Sequence, residues 1–233
     1  MTQHVNFDGK KEANFPKGLT ERMSPVRHDK WEDVKGMPSP RRISHLSITT
    51  NENYEQMLNW YKVVFDATLV NGIAGMMEFL TFGNEHHRFA IVKEPSLQAK
   101  PLGRDPRGGI GPAVVGLTHA AFSYASLAEL LFAYQRIKEA GITPSYCQNR
   151  GLTTSIYYYD PDYNEIELMV DNFDTTEECY LYKRDHQAKD GGLHSYDGNF
   201  DPDKMLELLK SGVPDHDLKD RNKLIELNKA GRI

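Results

Sequence analysis

Residues 43–61, ISHLSITTNENYEQMLNWY, lie over residues 117–134, LTHAAFSYASLAELLFAY. In both, a short alternating run leads into a run with helical spacing. In the first, Ser44, Leu46 and Ile48 fall on one face of a strand, and Ile43, His45, Ser47 and Thr49 on the other. Met57, Leu58, Tyr61, Val64 and Phe65 then recur at helical spacing, with Asn53 placed to cap the helix. In the second, His119 matches His45 and Tyr134 nearly matches Tyr61. Its helix, SLAELLFAYQRIKEAGI, is predicted to stop at Gly141, because glycine readily takes the left-handed conformation that follows a helix.

Each copy continues in β-rich runs. TLVNGIAG, MEFLTFG and RFAIVKE follow the first, and PSYCQN, TSIYYYD and NEIELMV follow the second. Each half therefore reads β–α–β–β–β, and a unit repeated at this scale buries its core together with its twin. The predicted fold is α+β, with two βαβββ modules forming one cupped, mostly antiparallel sheet. The domain covers residues 41–173, as modules 41–93 and 115–173 joined by a Pro- and Gly-rich linker over 94–114. Residues 1–40, polar and broken by Pro16, Pro25, Pro38 and Pro40, read as an extended N-terminal arm. Residues 174–233 read as a C-terminal tail with short helices, too small for a domain of its own. Its first part shows little periodicity. FDPDKMLELLKSG reads as a helix capped by Asp201 with Pro202 at its first position, and LKDRNKLIELNKAGRI as helical or frayed.

The chain has 233 residues, 39% hydrophobic and 26% charged, a composition ordinary for a soluble globular protein. A net charge of −5 gives no electrostatic reason to expect nucleic acid or an anionic membrane as partner. Cys147 and Cys179 are the only cysteines, and they read as free thiols of a reducing compartment. The first residues lack the apolar core of a signal peptide, and no apolar run approaches the roughly 20 residues that span a bilayer. The expected location is the cytoplasm.

The polar faces of three strands carry the chemistry. His45 lies opposite Leu46 and Ile48, His119 opposite Ala120 and Phe122, and Glu167 opposite Ile166, Leu168 and Val170. Inside a cupped sheet these three can converge, and two imidazoles with one carboxylate are the usual ligand set of non-haem iron(II) oxygenases. Zinc and manganese accept the same donors. Each residue also has a plainer reading, as a hydrogen-bonded strand histidine or a solvated glutamate. The equivalent histidines of the two repeats favour the metal.

SIYYYDPDYNEIEL, with ISHLSI, NEHHRFAIV and GLTHAAFSY, resembles the type I extradiol dioxygenases of the vicinal oxygen chelate superfamily, over about residues 41–173. The resemblance implies ring cleavage of a catechol beside its two hydroxyls by O2. It implies iron(II), with manganese(II) as the other candidate, held by His45, His119 and Glu167. His87 matches the acid–base histidine of that family, and Tyr157 the tyrosine that hydrogen-bonds the substrate oxygen. Strand alternation points His86, the neighbour of His87, elsewhere. A homodimer or larger assembly is implied by the same analogy.

One segment departs from the pattern. QNRGLTTS has Arg150 where family members often place a second active-site histidine. Arginine stays charged and cannot be a general acid near neutral pH, but it can bind an anionic substrate group. Tyr146, Tyr158, Tyr163 and Tyr180 are candidates for the pocket wall and equally for ordinary packing. Two other classes share the scaffold. Glyoxalase-type metal-dependent isomerases or lyases usually add a carboxylate ligand from the last strand of the first module, where HHRFAIV has none. Non-catalytic small-molecule-binding resistance proteins need no metal triad.

Overall fold

β1 (Leu46–Thr50), α1 (Tyr54–Phe65), β2 (Thr68–Ile73), β3 (Met77–Thr81) and β4 (Phe89–Lys93) build the first module. The computed structural model describes residues 42–104, 110–190 and 198–233, so the predicted arm over 1–40 lies outside the described residues. The second module repeats the order with β7 (His119–Ser123), α2 (Leu127–Glu139), β8 (Tyr146–Asn149), β9 (Thr153–Tyr159) and β10 (Glu165–Asp171). The sheet orders are β1-β4-β3-β2 and β7-β10-β9-β8. In each, the first strand pairs in parallel with the last and the remaining pairs are antiparallel. The predicted βαβββ duplication is thus reproduced strand for strand. Among the described residues, the ladders stay within each module, giving two four-stranded sheets with β1 and β7 as edges. Within the predicted linker, β5 (Leu102–Arg104) pairs with β6 (Ile110–Pro112) as a small ribbon.

Each helix lies on its own sheet and the two halves share one core. Met57, Tyr61, Val64, Leu80, Phe89 and Ile91 of the first module are fully buried, as are Leu127, Leu130, Leu131, Ile137, Ile156 and Tyr158 of the second. Phe122 of β7 crosses the seam and meets Phe65 edge-on, with ring centroids 4.6 Å apart. Ser126 caps α2 by accepting from the Glu129 N–H, and Gly141, at φ +83°, ends it as predicted. Both cysteines are free.

Polar contacts also tie the modules. Arg136 of α2 donates to the Val63 carbonyl and, at 3.1 Å, to the Val64 carbonyl, both in the last turn of α1, where helix carbonyls lack partners. Asn53 occupies the cap position of α1 but makes no side-chain cap. Its amide instead donates to Asp162 Oδ1 at 2.7 Å, so an inter-module contact takes the group that local pattern assigned to the helix. Tyr61 donates to Asp160 Oδ2 at 3.0 Å. Asp160 also accepts from the backbone of Asp162 and Asn164 and from the Asn164 amide, which closes the turn between β9 and β10. Burial pushes the Asp160 carboxyl up, and these donors pull against it.

The tail packs on the second module. α3 (Thr176–Asp190) forms where the sequence shows little periodicity. Its start is a capping box, with Thr175 Oγ1 accepting from the Glu178 N–H and Glu178 Oε2 from the Thr175 N–H. α4 (Pro202–Lys210) begins at the predicted Asp201 cap, and α5 (Asp215–Lys219) and α6 (Arg221–Lys229) follow. α4 rests against α2, where Lys138 pairs with Asp203 at 2.6 Å. Asn199 bridges Gln148 on β8, covering an edge otherwise open to pairing.

Replacing Tyr61 with Phe should cost about 1–3 kcal/mol, because one donor to a buried carboxylate is lost. The midpoint of urea unfolding reads this directly, and an unchanged midpoint would show that the contact adds no stability.

Candidate active site

The side chains of β10 alternate between two environments. Ile166, Leu168 and Val170 enter the core, and Glu165 and Glu167 take the opposite face, where they are nonetheless buried. Buried carboxylates need partners, and the register supplies them. β7 sets His119 across from Glu165, and β9 sets Tyr157 across from Glu167. His119 Nε2 stands 2.9 Å from Glu167 Oε2, and Nδ1 stands 3.4 Å from Glu165 Oε2. The second contact is longer than a hydrogen bond, and the buried Nδ1 has no hydrogen-bond partner. Tyr157 donates to Glu167 Oε1 at 2.7 Å. Tyr146, opposite Tyr157 on β8, stacks on its ring at 4.1 Å. Arg150 Nε donates to the Tyr157 hydroxyl at 3.3 Å. Burial and the nearby Glu167 raise the Tyr157 pKa, and Arg150 pulls it down. Burial works against the Arg150 charge, but the phenols of Tyr157 and Tyr146 outweigh it and raise its pKa.

A second group forms at the start of β1. His45 is exposed, and its ring lies 4.4 Å from that of His87. His87 is also flanked by Phe79 at 5.0 Å and His86 at 4.4 Å. The expectation that alternation turns His86 away does not hold. Residues 83–88 are a turn and not a strand, and the two Nδ1 atoms approach to 2.6 Å. Burial lowers the His87 pKa, as do His86 and His45, against Glu85.

The structure thus joins His119, Glu167, Tyr157 and Arg150 in one group, and His45 and His87 in another. Among the described residues, no set of three or more His, Cys, Asp or Glu side chains is drawn up to hold a metal ion. The His119–Glu167 pair fits a metal in donor type and spacing. Adjacent donors at right angles, each about 2.1 Å from one ion, stand about 3 Å apart. The duplication is uneven here. Leu46 pairs with Phe89, so His45 faces Arg88 as His119 faces Glu165, and Ala90 stands where Glu167 stands. The first module therefore offers no carboxylate at that place.

The spacing of two puts Glu165 on one face with Glu167, as expected from the sequence, which assigned Glu165 no role. Sequence reading named Tyr146 without deciding between wall and packing. Of the other tyrosines, Tyr158 is buried in the core, while Tyr163 and Tyr180 are exposed. A cleft of about 210 Å³ follows the seam between the modules, with Ser47 and Thr49 on one side and Leu117, Ala120 and Glu165 on the other.

The family model described as Glyoxalase/Bleomycin resistance protein/Dioxygenase superfamily matches residues 42–168. Biphenyl-2,3-diol 1,2-dioxygenase 2 of Rhodococcus globerulus is 34% identical over 178 residues, 76% of this chain and 86% of that protein. Biphenyl-2,3-diol 1,2-dioxygenase 3 of the same organism is 35% identical over 185 residues, 77% of this chain and 88% of that protein. Among solved structures, lactoylglutathione lyase from Agrobacterium tumefaciens matches with 21% identity and a TM-score of 0.43, covering 57% of this chain and 96% of that one. With the match running from before β1 into β10 and the βαβββ order in each module, the chain belongs to the glyoxalase/bleomycin resistance protein/dioxygenase superfamily.

Proposed function

We propose that the protein is an extradiol dioxygenase that opens a catecholic ring beside its two hydroxyls with O2, at a single iron(II) ion. Manganese(II) suits the same donors. The observation that carries this reading is the apposition of His119 Nε2 and Glu167 Oε2, 2.9 Å apart, in a chain about one-third identical to two proteins named as diol dioxygenases. His45, the counterpart of His119 in the first module, is the third ligand in this proposal. When bound, the metal would accept the diol and O2 together and relay electrons between them.

The chain's own residues do the rest. Glu165 places a carboxylate 3.4 Å from His119 Nδ1, behind the imidazole whose Nε2 would face the ion. Tyr157 keeps its proton, because its pKa is raised, and its hydroxyl orients a substrate oxygen next to Glu167. His87, neutral because its pKa is lowered, takes a proton at a ring nitrogen and returns it to the opened product. Tyr146 holds the Tyr157 ring in place by stacking.

His45→Ala, His119→Ala and Glu167→Gln should each lose bound iron after anaerobic loading, read by metal analysis. Retention in all three would show that the ligands lie elsewhere. His87→Phe should keep its iron while turnover falls about 10²–10⁴-fold. An undiminished rate removes the proton role of His87. For the wild type, an oxygen electrode with 2,3-dihydroxybiphenyl and catechol should register one O2 consumed per diol and a yellow ring-opened product. Absence of uptake with every diol would overturn the assignment.

A further inference from the structure

Arg150 is half-buried beside the proposed reaction site, and among the described residues its side-chain polar partners are two phenols, those of Tyr157 and Tyr146. Neither phenol offers an opposite charge to a half-buried guanidinium, and desolvating a charge is costly unless an opposite charge compensates it. Three observations keep the side chain in that place. Its backbone N–H donates to the Thr153 carbonyl at 2.8 Å, closing the turn into β9. Gly151, at φ +88°, follows it with no room for a Cβ, because the Tyr182 ring of α3 lies directly over it. Arg150 Cζ also sits 5.8 Å from the centre of the Tyr157 ring. The backbone that carries the cation is therefore held by the turn and by a ring of the tail packed on Gly151.

We infer that Arg150 selects catechols bearing a carboxylate on the ring or on a short side chain. The inference rests on the dioxygenase reading and names its substrate class. Position argues for a substituent and against the reacting oxygens. Tyr157 stands between Arg150 and Glu167, with its hydroxyl 3.3 Å from one and 2.7 Å from the other, so the guanidinium lies one side chain further out than the carboxylate. It has five N–H donors in a planar fork, and the two phenols leave some of them for a planar, two-oxygen anion. An arginine here also replaces the histidine that the resemblance leads one to expect, exchanging a group that titrates for a permanent charge.

The test compares kcat/KM for 2,3-dihydroxybenzoate, 3,4-dihydroxybenzoate and 3-(2,3-dihydroxyphenyl)propionate with that for catechol and 4-methylcatechol, in iron-loaded wild type, Arg150→Met and Arg150→Lys. At least one carboxylated diol should exceed the neutral ones by about ten- to a hundredfold in wild type. Arg150→Met should abolish that preference, and Arg150→Lys, which keeps the charge without the fork, should keep part of it. Calorimetric binding of 3-hydroxybenzoate against 3-methylphenol gives the same comparison without turnover and applies to any variant that folds. A wild-type preference for neutral diols overturns the inference and leaves ring cleavage standing. So does an equal loss on both substrate sets in Arg150→Met, which would place the guanidinium at the reacting oxygen. Failure of wild type to consume O2 with either set removes the dioxygenase reading, and the inference with it.

Discussion

Two carboxylates on one strand face, Glu165 and Glu167, are buried where charge is costly, and the surroundings of the site answer that cost. The strand pairing brings an imidazole across from one and a phenol across from the other. His119 spans the pair, Tyr157 donates to Glu167, and Arg150 donates to Tyr157. A chain of donors thus leads from the sheet interior to the turn before β9. Such a network is stiff because loosening any member leaves a buried polar atom without its partner.

The fold is a duplication whose halves have diverged in charge. Where the second module carries Glu165 and Glu167, the first carries Arg88 and Ala90. At these places one half therefore carries a cation and a methyl group and the other two carboxylates. Among the described residues, the modules themselves are joined by side chains and not by a continuous ladder. Phe122 lies among the first module's rings, and Arg136, Tyr61 and Asn53 each reach across the seam to a carbonyl or carboxylate. Side-chain contacts of this kind can shift slightly without breaking a sheet, and His45 stands in the module across that seam.

The tail belongs to the same body as the second module. Its helix α4 rests on α2, Asn199 covers the free edge of β8, and Tyr182 of α3 closes over Gly151. The ring packed on Gly151, next to Arg150, thus comes from a part of the chain outside the repeat. A substrate pocket on a shared scaffold is commonly shaped in this way, by appended elements and not by the strands.

The sequence by itself determined the duplication, the order of strands and helices, the Asp201 and Gly141 helix boundaries and the face on which Glu167 lies, because strand and helix periodicities are local properties. It also carried the Thr175–Glu178 capping box, which hydrophobic spacing overlooks because that helix is polar. Tertiary structure decided what local pattern cannot contain. It drew the Asn53 amide off its helix to Asp162, turned His86 toward His87 through a bend that alternation does not describe, and set Glu165 beside His119 through a parallel register between strands some forty residues apart. Among the described residues, it also left Arg150 facing the phenols of Tyr157 and Tyr146. These outcomes depend on which distant groups share a low-dielectric space, and burial, unlike periodicity, is settled only when the chain has closed on itself.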